Sequence, residues 1–247
     1  SRQNLAIPQG DLLPISPLNS DGSLYGLHPM ASGLQSLFET GDLAIVSNVG
    51  PLLEPTSKDD YLNGTTNLPP QLFSHNDQQN QWQSLRGTHS LSTGWAGRIA
   101  DLLAEDLSGQ LLPTNISTSG NSRFQAAETS SPYTVNNNGA SSYAAFRRGA
   151  EFGVERRASF EQQLANGYGN IHSRALAEVH TRSLQYADLV NEALTLVPEL
   201  NTAFPDTRLG RRLRIVARLL AVKDEFEVNR QIFYITAIGF DTHDNQN

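Results

Sequence analysis

Apolar residues recur along this chain with two periods, and they crowd closest near its end. Gln231 to Ile238 is a near-continuous run of β-branched and aromatic side chains. That pattern predicts a strand buried on both faces inside a parallel sheet. The run passes at once into Gly239-Phe240-Asp241-Thr242-His243-Asp244. Open α/β sheets place their ligands just beyond the carboxyl ends of such strands. In extended backbone Asp241 and His243 point to the same side, where a carboxylate and an imidazole are suitable donors for a divalent metal.

The helical period appears four times. Met30, Leu34, Leu37 and Phe38 form one face of a helix that Pro29 opens and Gly41 ends. Trp95, Ile99, Leu102, Leu103 and Leu107 mark a second, with Thr93 as its cap and Gly109 as its stop. Periodicity resumes near Phe160 and runs from Ala175 to Val197, with Leu176, Val179, Ala187, Val190, Leu194 and Val197 as the stripe and Pro198 beyond it. A last helix covers Leu209 to Val222, with Leu209, Leu213, Val216 and Leu220 inward. Its arginines at 211, 212, 214 and 218 mostly fall off that stripe and predict a solvated face. Leu43 to Gly50 reads as a short buried strand after the first helix, half of a βαβ unit. Residues 51–93 are mostly polar and broken by proline, and a loop of that length inside a domain is usually functional or poorly ordered. Residues 113–145 turn to Ser, Thr and Asn and predict an excursion of strands and turns apart from the core. The expected class is α/β, with residues 1–247 forming one partial domain.

Composition narrows the function. A net charge of -7, from 18 basic and 25 acidic residues, repels phosphate backbones and disfavours nucleic acid as a partner. Without cysteine there is no disulfide framework, thiolate nucleophile or cysteine-bound metal. No apolar run approaches the ~18 residues that a membrane span needs.

Two clusters carry chemistry. Asp241 and His243 are the candidate metal ligands, against the plainer reading of a polar turn that ends a strand. Ser74-His75-Asn76-Asp77-Gln78 is the second cluster. Its plain reading is an S-x-x-D cap opening a helix. Its functional reading is a polar-substrate site in which His75, Asp77 and Gln78 contact the ligand. His28, His89, His172 and His180 read as caps, loop residues or solvated groups.

Several blocks together carry a resemblance. They are Tyr25-Gly26-Leu27-His28-Pro29, Gly41-Asp42-Leu43-Ala44-Ile45-Val46-Ser47-Asn48-Val49-Gly50, Leu72-Phe73-Ser74-His75-Asn76-Asp77-Gln78, Gly94-Trp95-Ala96-Gly97-Arg98, and Gly239-Phe240-Asp241-Thr242-His243-Asp244-Asn245-Gln246. In this order they resemble domain-of-unknown-function family 1501, which is similar to sulfatases and belongs with the alkaline phosphatase superfamily. The resemblance implies a three-layer sandwich around a mostly parallel sheet, with a divalent metal (zinc, manganese, calcium or magnesium) at the strand ends. It implies export by the twin-arginine route to the periplasm or beyond, and hydrolysis of phosphate or sulfate esters. Asp241 and His243 match the family's Asp-x-His metal pair, and His75 sits in its Ser-His block. The family's first metal-binding aspartate and its nucleophile would precede Ser1, and its Asp-His-Gly block would follow Asn247. The chain is therefore expected to be an incomplete sandwich, completed by other segments of the same protein or by another chain. An anionic ester or a polysaccharide is the expected ligand. The alternative is a secreted structural or binding protein that keeps the fold without the chemistry.

Overall fold

A computed structural model describes residues 6–47, 49–85, 88, 92–146, 149–198 and 200–240. They fall into two compact units, one running to Gly50 and including Ile238 to Phe240, the other from Pro51 to Ala237. The architecture is mixed α/β, with seven α-helices and a mixed parallel and antiparallel sheet among the described residues.

In the first unit β1 (Leu13–Ile15) pairs antiparallel with β2 (Tyr25–Leu27), and α1 (Ser32–Glu39) follows. The side chain of Gln35 donates to the Pro14 carbonyl at 2.6 Å, and Glu39 accepts the Ser16 N–H at 3.0 Å, so helix and hairpin are tied. Gly41 ends the helix as expected. At φ +81° it gives its N–H to Phe38, while Asp42 gives its own to Leu37, the paired bonds of a Schellman turn. The strand expected over Leu43 to Gly50 does not form. Its described residues are irregular, and Ile45, Val46 and Val49 are exposed. A strand needs a neighbour for its backbone groups, and among the described residues these have none.

The second unit is built on a four-stranded sheet in the order β5-β4-β3-β6, comprising β3 (Asn115–Ser117), β4 (Tyr133–Asn136), β5 (Gly139–Ala140) and β6 (Ile232–Tyr234). Strands β4, β3 and β6 run parallel, and β5 returns antiparallel through a tight turn. The stretch expected to stand apart from the core thus supplies three of the four strands, and Ile116 and Val135 are fully buried. The final strand is also less central than its composition predicts. It is only Ile232–Tyr234, it pairs with β3 alone among the described residues, and its side chains are half-buried.

Helices α2 (Lys58–Asn63), α3 (His75–Ser84), α4 (Trp95–Leu102), α5 (Gly153–Leu164), α6 (Ile171–Ala193) and α7 (Arg208–Ala221) complete the unit. Ile116 points into a core with Val190 and Leu194 from α6 or its end, Ile215 and Leu219 from α7, and Phe226 just beyond. Its neighbour Asn115 donates to the Ala96 carbonyl of α4 at 3.2 Å. Strand alternation sends adjacent side chains to opposite faces, so α6 and α7 lie on one face of β3 and α4 on the other.

Two expected stripes are corrected. In α6 the buried residues lie mostly in the second half, Leu184, Ala187, Val190 and Ala193, with Ala177 alone buried in the first half, while Leu176 and Val179 are exposed. In α7 the inward face is Arg212, Ile215 and Leu219, and Leu209, Leu213 and Leu220 lie open to solvent. The sheet offers one direction of approach, and the side nearest it was occupied by the 212/215/219 row rather than the 209/213/216/220 row. The cap of α4 also differs. Gly94 is its N-cap, and Thr93 instead accepts from the guanidinium of Arg98.

At the other end of α4, Asp101 holds the following segment. Its carboxylate accepts the N–H groups of Glu128 and Ser130, each at 2.8 Å, and the Thr129 hydroxyl at 2.7 Å. Burial alone would raise this carboxyl, but the bonds from Thr129, Ser130 and Glu128 outweigh it and hold it below the ordinary carboxylate range. A depressed carboxyl stabilises the fold fully above its unfolded value of about 3.9 and loses that stabilisation as pH falls through its folded value. Asp101→Asn is therefore expected to cost about 1–2 kcal/mol at neutral pH. In urea unfolding measured across pH, the gap between parent and variant should close in acid. A gap of constant size down to pH 2 would show that the charge of Asp101 plays no part.

Candidate functional site

The polar cluster of the long loop starts a helix. Ser74 caps α3, its Oγ accepting the Asp77 N–H at 3.4 Å and donating to Asp77 Oδ2 at 2.5 Å. The local reading of S-x-x-D as a cap is therefore what the chain does there. His75 follows on the exposed surface of the first turn. Gln78 donates to Gln81 Oε1 at 3.2 Å, and Gln81, itself buried, donates to the Pro70 carbonyl at 2.8 Å. Of the three substrate-side candidates, Asp77 and Gln78 are thus engaged within α3 and His75 is open. None of the three lines the cleft beside α3, whose walls are Gln79, Trp82, Gln83, Leu85, Trp95 and Phe124.

The far half of α3 is fastened to the short 3-10 helix Arg123–Gln125, which follows β3. Arg123 Nε donates to Asn80 at 2.9 Å, and the Phe124 N–H donates to Gln83 at 2.9 Å. Arg98 of α4 adds a third tie through its 2.7 Å bond to the Ser84 carbonyl. The same short helix grips the sheet. Gln125 is fully buried and its Nε2 donates to the carbonyls of Ile116 in β3 and Ile232 in β6, both at 3.1 Å. The Phe124 ring meets Trp95 edge-on at 4.5 Å and stacks on Tyr234 at 5.5 Å.

Past their carboxyl ends β3 and β6 stay joined. The Thr118 N–H donates to the Tyr234 carbonyl at 3.0 Å, and the Thr236 N–H donates to Ser119 Oγ at 2.9 Å. Arg212 reaches across from α7 and donates to the Thr236 carbonyl at 2.6 Å. Its guanidinium is buried, and burial, reinforced by nearby Arg208, lowers its pKa. So the backbone leading out of β6 is held from both sides. The candidate metal ligands Asp241 and His243 lie outside the described residues. Among the described residues no three His, Asp or Glu side chains converge, so these residues by themselves build no metal centre.

Sequence reasoning missed Arg123, Gln125 and Arg212. For Arg212 a signal existed, because Arg212, Ile215, Leu219 and Val222 follow helical spacing as well as the leucine row does. Gln125 carries no local signal, since its two partners belong to strands more than a hundred residues apart in sequence. No family model, curated protein or solved structure matches this chain.

Proposed function

We propose that the chain is part of an exported, metal-dependent hydrolase of phosphate or sulfate esters, of the sulfatase-like kind that its blocks resemble. In this reading the sheet is that of an alkaline-phosphatase-like sandwich, and the protein works in the periplasm or outside the cell. Asp241 and His243 are the metal ligands, with further ligands also from outside the described residues. His75, Asp77 and Gln78 stand on the substrate side. A bound divalent ion would supply charge stabilisation on the ester oxygens.

One observation carries the reading. The far half of the helix that begins at His75 and the strand that leads toward Asp241 are both fastened to Arg123–Gln125, the short helix that follows the parallel strand β3. Open α/β sheets hold ligands beyond the carboxyl ends of their strands, and it is from its carboxyl end that β6 runs on in sequence toward Asp241. No helix among the described residues is long and apolar enough to cross a membrane.

Calorimetric titration of the full-length protein with zinc and manganese chloride tests the proposal. Binding is expected, and Asp241→Ala should weaken it by tenfold or more, the loss of one charged ligand. Absence of heat with every divalent metal tried would remove the mechanism. The runner-up, a secreted structural or binding protein, is favoured by the way Ser74, Asp77, Gln78 and Gln81 satisfy one another within α3. Turnover of p-nitrophenyl phosphate or sulfate would reject it.

A further inference from the structure

Three asparagines of this chain are followed by glycine: Asn63-Gly64, Asn138-Gly139 and Asn166-Gly167. In such a pair the glycine nitrogen is the nearest nucleophile to the asparagine carboxamide, and no Cβ on the glycine obstructs its approach. Attack requires that nitrogen to be released from hydrogen bonding, and the pair to be free to turn into an attacking geometry. The fold meets that requirement at one of the three pairs.

Asn63 is the last residue of α2, and Gly64, at φ +64°, gives its N–H to the Tyr61 carbonyl at 3.4 Å. That nitrogen is engaged as the C-cap of the helix. Asn138 lies in the turn between β4 and β5, where Gly139 is buried and Asn136 Oδ1 accepts the Asn138 N–H at 2.8 Å. Asn191 of α6 fixes the next residue by accepting the Ala140 N–H at 3.1 Å. Asn166-Gly167 has neither restraint. It sits in the link between α5 and α6, with both residues exposed. The one hydrogen bond of Asn166 among the described residues runs from its own N–H to the Gln163 carbonyl at 3.2 Å. The Gly167 N–H makes none among the described residues, and a Cβ built on Gly167 would meet nothing within 4 Å.

We propose that Asn166 is a site of spontaneous deamidation, with water as the co-reactant. The Gly167 nitrogen, having lost its proton to solvent, attacks the carboxamide carbon of Asn166. The new C–N bond closes a cyclic imide, and the side-chain nitrogen takes up a proton and leaves as ammonia. Water then adds to one of the two imide carbonyls. Cleavage of that carbonyl's bond to nitrogen leaves aspartate or, where the backbone carbonyl is the one opened, isoaspartate. Either product makes the chain one charge more negative. It also puts a carboxylate on the wall of a cavity of about 490 Å³ that Arg174, Glu178 and Arg182 line as well. The isoaspartyl form lengthens the link between α5 and α6 by one backbone carbon. None of this depends on the metal reading, since it uses none of Asp241, His243, His75, Asp77 or Gln78.

Incubation of the full chain in mildly alkaline buffer, followed by digestion in acid and mass spectrometry of the peptides, tests it. Isoaspartate forms through the imide and not by direct hydrolysis of the side chain, so it reports this route. It is expected at Asn166 before Asn63 or Asn138. In guanidinium chloride the three rates should converge, because each asparagine then has the same following residue and no fold around it. Asn166→Gln should lose the leading acidic species on isoelectric focusing while leaving the melting temperature unchanged. Isoaspartate that appears first at Asn63 or Asn138 would overturn the assignment. So would the same order of rates with and without denaturant, or an Asn166 that stays intact in the folded chain while the unfolded chain converts.

Discussion

Gly97→Ala is expected to destabilise the second unit by about 3 kcal/mol, although in most helices the same change is stabilising. Alanine exceeds glycine in helix propensity by about 1 kcal/mol, so an exposed helical glycine would gain by the substitution. At Gly97 an added Cβ would fall 1.9 Å from the Ala126 carbonyl oxygen and 2.4 Å from its carbon. Those are backbone atoms and cannot rotate aside. The same carbonyl accepts the Gly94 N–H at 2.8 Å, so moving it also breaks the start of α4. Overpacking of this kind costs about 1–3 kcal/mol and occasionally more, which exceeds the propensity gain. Gly33, inside α1, has nothing within 4 Å of an added Cβ, and Gly33→Ala should be neutral or stabilising by up to about 1 kcal/mol. Denaturant unfolding followed by far-UV circular dichroism separates the two. Equal stability of Gly97→Ala and the parent would mean that α4 does not approach Arg123–Ala127 so closely.

That approach matters for the proposed site as well as for stability. The segment on which Gly97 sits carries Arg123, Phe124 and Gln125, which hold α3 and the two strands. A bulkier residue at 97 would displace the piece to which α3, β3 and β6 are fastened. The small residue in Gly94-Trp95-Ala96-Gly97 is thus explained by contact with backbone rather than by contact with a ligand.

The longer helices were legible because each repeats a local pattern over two or more turns, and their ends follow from caps such as Ser74, Asn170 and Thr207 that act within a few residues, whereas the six-residue α2, inside the stretch read as a loop, was not. The strands were not. Asn115–Ser117 is short and two-thirds polar, yet all three residues are buried. Ser117 donates to the nearby Gly120 carbonyl, but the Nδ2 of Asn115 is held by the Ala96 carbonyl nineteen residues away, a partner that no local window of sequence displays. Leu43 to Val49 shows the converse. It has strand composition and no strand to pair with among the described residues, because β propensity describes a fit to neighbours more than a preference of the backbone. As for the site, the S-x-x-D cap was visible in the residues themselves. The fastening of α3 and β6 to one short helix was not, since it joins segments from three separate parts of the chain.

Which face of α7 is inward decides the last expected result. Phe226→Ala should cost about 3–5 kcal/mol, whereas Leu213→Ala should cost less than about 1 kcal/mol. Phe226 is fully buried where the chain turns out of α7, packed with Ile116, Val190, Ile215 and Leu219. Its carbonyl also accepts the Leu111 N–H at 3.0 Å, so the ring anchors the backbone that enters β3. Truncation to alanine would leave a cavity between β3, α6 and α7, and rigid surroundings on three sides limit collapse. Against a total stability of about 5–15 kcal/mol, such a loss leaves the unit marginal. Leu213, 41% exposed, already keeps much of its surface in water and has less burial to lose, even though helical periodicity alone ranks it with the core. Guanidinium unfolding of both variants checks the order. Similar losses from the two would mean that α7 turns its leucine row inward, and then Arg212 could not reach the Thr236 carbonyl and hold the backbone that leads toward Asp241.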